Sequence, residues 1–94
     1  MKVVFTSAAL ADLDDVLSYT SEHYPLLVHS VERRIRAVIA RIEQWPESAR
    51  EVEQRPGIRV VPLIRYPFKI FYRVAGSRIE ILHIHHTARD DIVE

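Results

Sequence analysis

The chain has 94 residues, 48% hydrophobic and 28% charged, with a formal net charge of zero and no cysteine. These values predict one folded domain over residues 1–94 and argue against a disordered or disulfide-framed protein. A chain this short also leaves little room for a cofactor or small-molecule cleft. The sequence has no signal-peptide pattern and no run near the roughly 20 apolar residues of a membrane span, so we expect a cytoplasmic protein without a membrane partner.

The first segment predicts a strand followed by a helix. Residues 2–5 form a short β-rich run, and Thr6 or Ser7 can cap the helix that follows. Apolar side chains then recur at spacings of three, four and seven, at Leu10, Leu13, Leu17 and Tyr24. This pattern predicts one buried helix face. Tyr19 lies opposite that face on a helical wheel, so it is either a solvated aromatic side chain or a contact for a partner outside this domain.

A second helix is predicted to begin near Pro25, because proline suits the first turn of a helix. Its apolar positions recur at helical spacing, at Val28, Val31, Ile35, Val38, Ile39 and Ile42. The pattern stops at Trp45-Pro46, where proline opposes continuation. The two segments together predict a helical hairpin.

The second half of the chain changes from helical to strand-like periodicity. A polar stretch, residues 46–57, ends in Pro56-Gly57, a pair suited to a type II turn. Three β-rich runs follow: "IRVVPLIRY", "FKIFYRV" and "RIEILHIHH". Pro62 cannot donate a ladder hydrogen bond, so the first run is expected at a sheet edge or at a bulge. With the opening strand, the pattern predicts an α+β fold: a helical hairpin on one mostly antiparallel, four-stranded sheet.

Strand alternation predicts which side chains share a face of this sheet. In the second run the core face carries Phe68, Ile70, Tyr72 and Val74, and the opposite face carries Lys69, Phe71 and Arg73. In the third run one face carries Ile79, Ile81, His83 and His85, and the other carries Glu80, Leu82, Ile84 and His86. Apolar residues on both faces predict a central strand, with either face toward the helices.

The histidine-rich end, "LHIHHTARDD", is compatible with three interpretations. His83 and His85 have the same-face spacing of two-histidine metal sites, but the neighbouring strand offers no third ligand, so no metal is predicted. A histidine beside Lys69 and Arg89 has the equipment of a metal-free ribonuclease. The third interpretation is structural, with one or two histidines packed at the sheet end and the others solvated.

Acidic and basic residues are unevenly distributed along the chain. Residues 1–53 hold nine acids against six bases, whereas residues 54–89 hold seven bases against one acid. A basic segment of this kind can contact phosphates or an acidic partner.

Several short motifs occur in an order that resembles the RelE/ParE superfamily of toxins from bacterial toxin-antitoxin pairs, and within it the ParE branch most. They are Gly57-Ile58-Arg59, Tyr66-Pro67, Phe71-Tyr72-Arg73, and His86 through Arg89-Asp90. The resemblance covers nearly the whole chain. It implies a small α+β toxin that is neutralised when a ParD-like antitoxin wraps along a groove between helices and sheet. The antitoxin's DNA-binding part would then connect the pair to operator DNA.

The ParE branch implies inhibition of DNA gyrase by binding, without a cofactor. We expect the target to be contacted by a basic surface and the segment after the last strand: Arg59, Arg65, Lys69, Arg73, His86 and Arg89. The expected antitoxin contacts are Leu17, Tyr19, Tyr24 and Trp45.

Two other functions remain open. RelE-type toxins cut messenger RNA in the ribosome, and Lys69 and Arg89 fall on their basic positions. Where those toxins carry lysines on the preceding strand, this chain has Val60 and Pro62. His85 or His86 would then have to act as the acid or base. A toxin that has lost its activity but still binds antitoxin is the third possibility.

Overall fold

The computed structural model describes residues 1–87, so Arg89 and the other residues from 88 onward lie outside the described part of the chain. The elements follow in the order β1 (Lys2–Phe5), α1 (Ser7–His23), a 3-10 turn (Pro25–Leu27), α2 (Val28–Gln44), β2 (Arg50–Glu51), β3 (Ile58–Pro62), β4 (Phe68–Ala75) and β5 (Arg78–His86). The predicted α+β architecture is confirmed. No helix within residues 1–87 is long and apolar enough to cross a bilayer.

The sheet has the strand order β1-β5-β4-β3-β2, which makes β5 and β4 central, as predicted for β5. β1 runs parallel to β5, whereas β5, β4, β3 and β2 form an antiparallel succession. The prediction of four strands was one too few, because β2 consists of only Arg50 and Glu51. Two exposed charged residues carry no alternation of apolar and polar side chains by which a strand could be recognised.

Helix α1 begins as predicted, but its buried face differs from the prediction. The Thr6 hydroxyl accepts the N–H of Ala9 at 3.1 Å and caps the helix. The buried positions are Ala9, Val16 and Thr20, small or compact side chains that let the helix lie close to the sheet. The Thr20 hydroxyl is satisfied by donating to the Val16 carbonyl at 2.7 Å.

Two residues of the predicted apolar face of α1 are exposed. Leu10 lies at the margin of the buried face and is 54% exposed. Tyr24 is 56% exposed because it is the C-cap residue, with φ of −142°, and has left the helical path. Leu13 and Leu17 are half-buried against the core. The periodicity of large apolar side chains therefore predicted the wrong set of buried residues, because it included two exposed ones and omitted the small and compact residues that are buried.

Helix α2 matches its prediction closely. Val31, Ile35, Val38 and Ile42 are buried, and Ile39 packs partly buried beside them. Together with Ile70, Tyr72, Ile79, Ile81 and Ile84 of the sheet they form the main core. The helix ends at Gln44 with Trp45 as its C-cap, as the Trp45-Pro46 pair predicts.

A bulge changes the side-chain alternation of β5. Tyr72 pairs with Ile81 and the adjacent Phe71 pairs with His83, so Leu82 is the extra residue. Ile81 and Ile84 therefore both belong to the helix-facing core, although they are three residues apart. The prediction that His83 and His85 share the face of Ile81, and Ile84 that of Glu80, was wrong because strict alternation does not hold across a bulge.

Candidate functional site

The face of the sheet that points away from the helices carries a mixed apolar and charged surface. A small apolar cluster, Val60 and Phe71 with Val52, Ile58 and Leu82 around them, covers its centre. We call this cluster, together with the flanking side chains Lys69, Arg73, His83 and His85, the open sheet face. β4 contributes the predicted alternation of a cation, an aromatic ring and a cation.

Lys69 is held over the aromatic centre of the open sheet face. Its Nζ lies 5.6 Å from the centroid of the Phe71 ring, within the range of a cation–π interaction. In the ladder Lys69 stands opposite His85 of β5, whose ring meets Phe71 edge-on at 5.4 Å. One buried aromatic ring thus positions both a lysine and a histidine.

Arg73 is engaged in an ion-pair network with the neighbouring strand. Its Nε donates to Glu80 Oε1 at 2.8 Å, and Arg78 Nη2 donates to Glu80 Oε2, also at 2.8 Å. Hydrogen bonds from Arg73 and then Arg78 hold the pKa of the Glu80 carboxyl below its usual 4.5. The charge of Arg73 is therefore partly neutralised at the surface.

Arg59 lies on the opposite face, where it fastens the loop between α2 and β2. Its guanidinium donates to the carbonyls of Ala49 at 2.6 Å and Glu47 at 3.1 Å. The adjacent Tyr72 hydroxyl donates to the Pro46 carbonyl at 2.7 Å. Burial raises the pKa of the Tyr72 phenol above 10.0, against an opposing effect of the Arg59 charge. Arg59 is thus separated from Lys69 and Arg73, although all three were predicted to belong to one target-binding surface.

Arg65 occupies a third location, the turn between β3 and β4. It is exposed and has a positive φ of 83°, a backbone conformation that non-glycine residues seldom adopt. Together with Arg33 and Arg34 of α2 it lines a shallow depression beside Tyr66. The four described bases of the predicted target surface are therefore divided among three places.

The three histidines of β5 do not share one face: His83 and His85 lie together on the open sheet face, and His86 lies on the opposite face. His83 lies against Asp12 of α1, with 3.2 Å between Nδ1 and Asp12 Oδ2. His85 is 3% exposed, and His86 is exposed with its ring edge-on to Phe68 at 5.7 Å. The nuclease interpretation needs an exposed histidine beside Lys69. His85 stands opposite Lys69 but is buried, and the exposed His86 lies on the other face of β5.

A groove of about 410 Å³ runs between α2 and β3, and we call it the α2–β3 groove. Its apolar lining includes Ala37, Val38, Ile42, Val61 and Ile64. Arg34 and Arg41, seven residues apart on α2, add two cations to it. Ile64 is 67% exposed, so most of its apolar side chain is accessible to a partner that enters the groove.

Comparison with known proteins adds independent information about this fold and surface. The family model described as the ParE toxin of the type II toxin-antitoxin system parDE matches residues 3–91. The chain belongs to the ParE toxin family. This membership confirms the resemblance inferred from the motifs and makes the protein a toxin of the type II toxin-antitoxin class.

Individual relatives of this ParE family member agree with the assignment. Toxin RelE2 of Caulobacter vibrioides is 32% identical over 89 residues, which cover 94% of this chain and 97% of that toxin. A structure of the chromosomal ParDE system from P. aeruginosa matches with a TM-score of 0.79 and 28% identity, covering 92% of this chain and 95% of that one. The YoeB/ParE toxin from Agrobacterium tumefaciens shares the fold, with a TM-score of 0.64 at 18% identity and coverage of 92% and 98%.

The residues expected to contact the antitoxin of this ParE-family toxin do not form one patch. Tyr19, stacked on His23 at 4.2 Å, and Tyr24 are exposed near the tip of the helical hairpin. Trp45, 59% exposed, caps the other end of α2. A 17-residue helix is roughly 25 Å long, so the two sites are well apart. Leu17 is half-buried and lines a separate groove between the two helices.

The α2–β3 groove was missed by the sequence analysis, although a signal for it existed. Arg34, Ala37, Val38 and Arg41 recur at spacings of three, one and three, which places them on one stripe of α2. Ile64 belongs to a β-rich run in the sequence, and its exposure depends on β3 ending at Pro62. The tertiary structure determines where β3 ends, so the exposure of Ile64 could not be predicted from the local sequence.

Proposed function

We propose that this toxin acts by binding DNA gyrase through the open sheet face, and that it cuts no RNA. The observation that carries the proposal is Lys69 over Phe71: a partly desolvated cation on an apolar platform suits recognition of an acidic partner. The candidate acid-base groups are less suitable for a nuclease. His85 is buried, and His86 lies on the Phe68 side of β5.

The contacts we expect at gyrase differ among the predicted bases. Lys69 is the central contact of the proposed surface. Arg73 lies beside it, but its Glu80 partner must be partly displaced before Arg73 can bind an acid on the target. Arg59 holds the loop after α2 and serves the fold. Arg65 lies at the β3–β4 turn and lines a depression with Arg34 and Ala37, two residues that also line the α2–β3 groove.

We further propose that a ParD-like antitoxin neutralises the toxin by occupying the α2–β3 groove. The apolar lining fits aliphatic side chains of a peptide, and Arg34 and Arg41 fit acidic side chains at its edges. Tyr19, Tyr24 and Trp45 extend this contact if the antitoxin wraps around α2. In this arrangement only the antitoxin touches operator DNA, and growth arrest follows when the antitoxin is lost.

The decisive experiment is pulse-labelling of DNA and protein synthesis in the minutes after inducing the toxin alone in bacteria. Cells that also express the antitoxin serve as the control. We expect DNA synthesis to fall first while translation persists. Purified toxin should then inhibit supercoiling by purified gyrase and increase gyrase-dependent DNA cleavage. Translation stopping first would refute the gyrase proposal.

Variants of Lys69 test the surface. Lys69→Met keeps the length of the side chain and removes the charge, and Lys69→Glu reverses it. A hydrogen bond to a charged group contributes about 1.5–3 kcal/mol, so either change should weaken gyrase inhibition by about 10-fold or more. Lys2→Glu is the matched control, because it makes the same charge change at an exposed site on β1. Antitoxin binding should survive all three substitutions. Full inhibition by Lys69→Glu would remove the open sheet face from consideration.

A paired substitution separates the two roles of Arg73. Arg73→Glu combined with Glu80→Arg restores an ion pair in reversed orientation. If Arg73 contacts gyrase, the double variant stays impaired as the single Arg73→Glu variant is. If Arg73 matters only through Glu80, the double variant regains inhibition.

A ribosome-dependent nuclease is the second candidate, because the Caulobacter relative carries the name RelE2. It predicts early translation arrest and loss of toxicity in His86→Gln, whose side chain is exposed on β5. A third outcome, tight antitoxin binding with no effect on either synthesis, would identify an inactive toxin.

A further inference from the structure

A cluster of one carboxylate and two imidazoles forms where β1 leaves the sheet. The pairing of β1 with β5 ends at Phe5 and Ile81, and the chain turns there into α1. The edge of β5 beyond this point faces the first turns of the helix. Asp12 fills the position of a missing strand, because its Oδ2 accepts the N–H of Ile84 at 3.0 Å. The same oxygen lies 3.2 Å from His83 Nδ1.

The second histidine completes the cluster. The rings of His83 and His85 are 4.8 Å apart between centroids, and both follow the Leu82 bulge on the same side of β5. One ligand atom from each of Asp12, His83 and His85 can be chosen so that all three lie within 4.8 Å of one another. Asp12 is thus the third donor that the strands themselves did not offer.

We propose that Asp12, His83 and His85 bind a divalent transition-metal ion of the zinc type. Two imidazole nitrogens and one carboxylate oxygen suit zinc, cobalt or nickel, whereas magnesium and calcium prefer sets made of oxygen alone. With bonds of about 2.0–2.2 Å, the ligand atoms of a tetrahedral site lie roughly 3.4 Å apart. The ligand atoms lie within 4.8 Å of one another, so binding an ion requires a contraction of at most about 1.4 Å between any two of them.

The surroundings of the cluster fit such a site. Asp12 has two carboxylate oxygens, so it can bind an ion and keep its hydrogen bond to Ile84. Phe71, edge-on to His85, provides an apolar wall that strengthens charge interactions beside it. The side chains of His83 and Asp12 are 20% and 22% exposed, which leaves a route for the ion from solvent. Three protein ligands leave a position for water or for a donor atom from a partner.

Metal binding at this cluster would fasten α1 to the last described strand. Asp12 belongs to the helix that follows β1, and His83 and His85 lie just before His86 and Thr87. A bound ion would therefore stabilise this end of the sheet, including two side chains of the open sheet face, and it would do so whether or not gyrase is the target.

The test uses the full-length chain without a histidine tag, after removal of metals with a chelator. Zinc binding is measured by titration calorimetry, and cobalt binding by the visible absorption of the Co²⁺ ion, which reports coordination number. We expect one ion per chain, a cobalt spectrum of a four- or five-coordinate site, and a melting temperature that rises with zinc concentration.

Two substitutions probe the ligands with the fold preserved. Asp12→Asn keeps an oxygen acceptor for the Ile84 N–H and removes the anionic ligand, and His83→Gln removes an imidazole that is only half-buried. Each should weaken zinc binding by about 10-fold or more, since changes to mere supporting partners of metal ligands already cost 10- to 100-fold. His29→Gln, on the exposed start of α2, is the matched control and should leave zinc binding unchanged.

The proposal is tested by comparing metal binding by the wild type and by these variants. Circular dichroism in the presence of chelator tests whether Asp12→Asn is folded, and we expect a native spectrum, so that its loss of binding can be attributed to the ligand. The proposal is overturned if the wild-type chain binds neither zinc nor cobalt. It is also overturned if Asp12→Asn and His83→Gln bind as tightly as the wild type.

Discussion

Replacing Tyr72 by phenylalanine should destabilise the fold by an amount that can be derived from its contacts. Tyr72 is fully buried, and its hydroxyl donates a 2.7 Å hydrogen bond to the Pro46 carbonyl. A hydrogen bond of this kind contributes about 0.5–1.5 kcal/mol, and an unsatisfied buried acceptor costs about 1–3 kcal/mol. Pro46 is half-buried, so water can partly replace the lost donor. We therefore expect a loss of about 1–2 kcal/mol.

Urea unfolding of the Tyr72→Phe variant measures this loss with two probes. For small domains each molar unit of urea changes stability by about 1–3 kcal/mol, so the midpoint should fall by roughly 1 M. Far-UV circular dichroism reports the helices, and Trp45, the one tryptophan of the chain, reports the adjoining loop. Tyr66→Phe is the matched control, because its ring is only partly buried. Equal midpoints for wild type and Tyr72→Phe would refute the reasoning.

The pKa of Tyr72 adds a pH dependence to the same comparison. Burial raises this pKa above the 10.0 expected for the unfolded chain. Above pH 10 the unfolded phenol loses its proton while the folded one keeps it, so this contribution to stability is lost as the pH rises further. Phenylalanine cannot ionise. The difference in stability between wild type and Tyr72→Phe should therefore shrink above pH 10, and a constant difference would contradict the assignment.

Two further substitutions test the N-terminal cap and the surface ion pairs. Thr6→Ala removes the cap to Ala9 and the hydroxyl's 3.0 Å bond to the Ile81 carbonyl, so urea unfolding should show a loss of about 1–2 kcal/mol that Thr6→Ser largely recovers. Since the pKa of Glu80 is lowered, its stabilising contribution is present above pH 4.5 and lost as the pH falls through the folded pKa. The urea midpoint of Glu80→Gln should then depend less on pH between about 5 and 3, and equal slopes would count against the Arg73 and Arg78 pairs.

The fold was largely predictable because its strongest signals are local. The α2 stripe, the Thr6 cap and the three long strands each follow from spacing or turn chemistry. The errors arise where tertiary structure decides. The Leu82 bulge reverses the alternation of β5, and two exposed charged residues become β2 only by pairing with Arg59 and Val60.

The candidate site was less predictable, because it depends on contacts between distant segments. Asp12 and His83 are 71 positions apart in sequence, and Arg59 reaches carbonyls ten and twelve positions away. Neither contact has a signature in a single sequence, since any acid or loop carbonyl at a suitable distance could serve. Residue type predicted which side chains can do chemistry, and the fold determined which of them meet.

The charge pattern illustrates why a basic segment is not the same as a basic surface. Of the seven bases in residues 54–89, Arg59 donates to loop carbonyls, and Arg73 and Arg78 share one carboxylate. These arginines already interact with groups of the protein itself, although a count of bases along the sequence treats their charges as available to the target. Lys69 differs because its partner is an aromatic ring, which holds the ammonium group without neutralising it. A target-binding role should therefore depend more on this one lysine than on the larger number of arginines in the same segment of the chain.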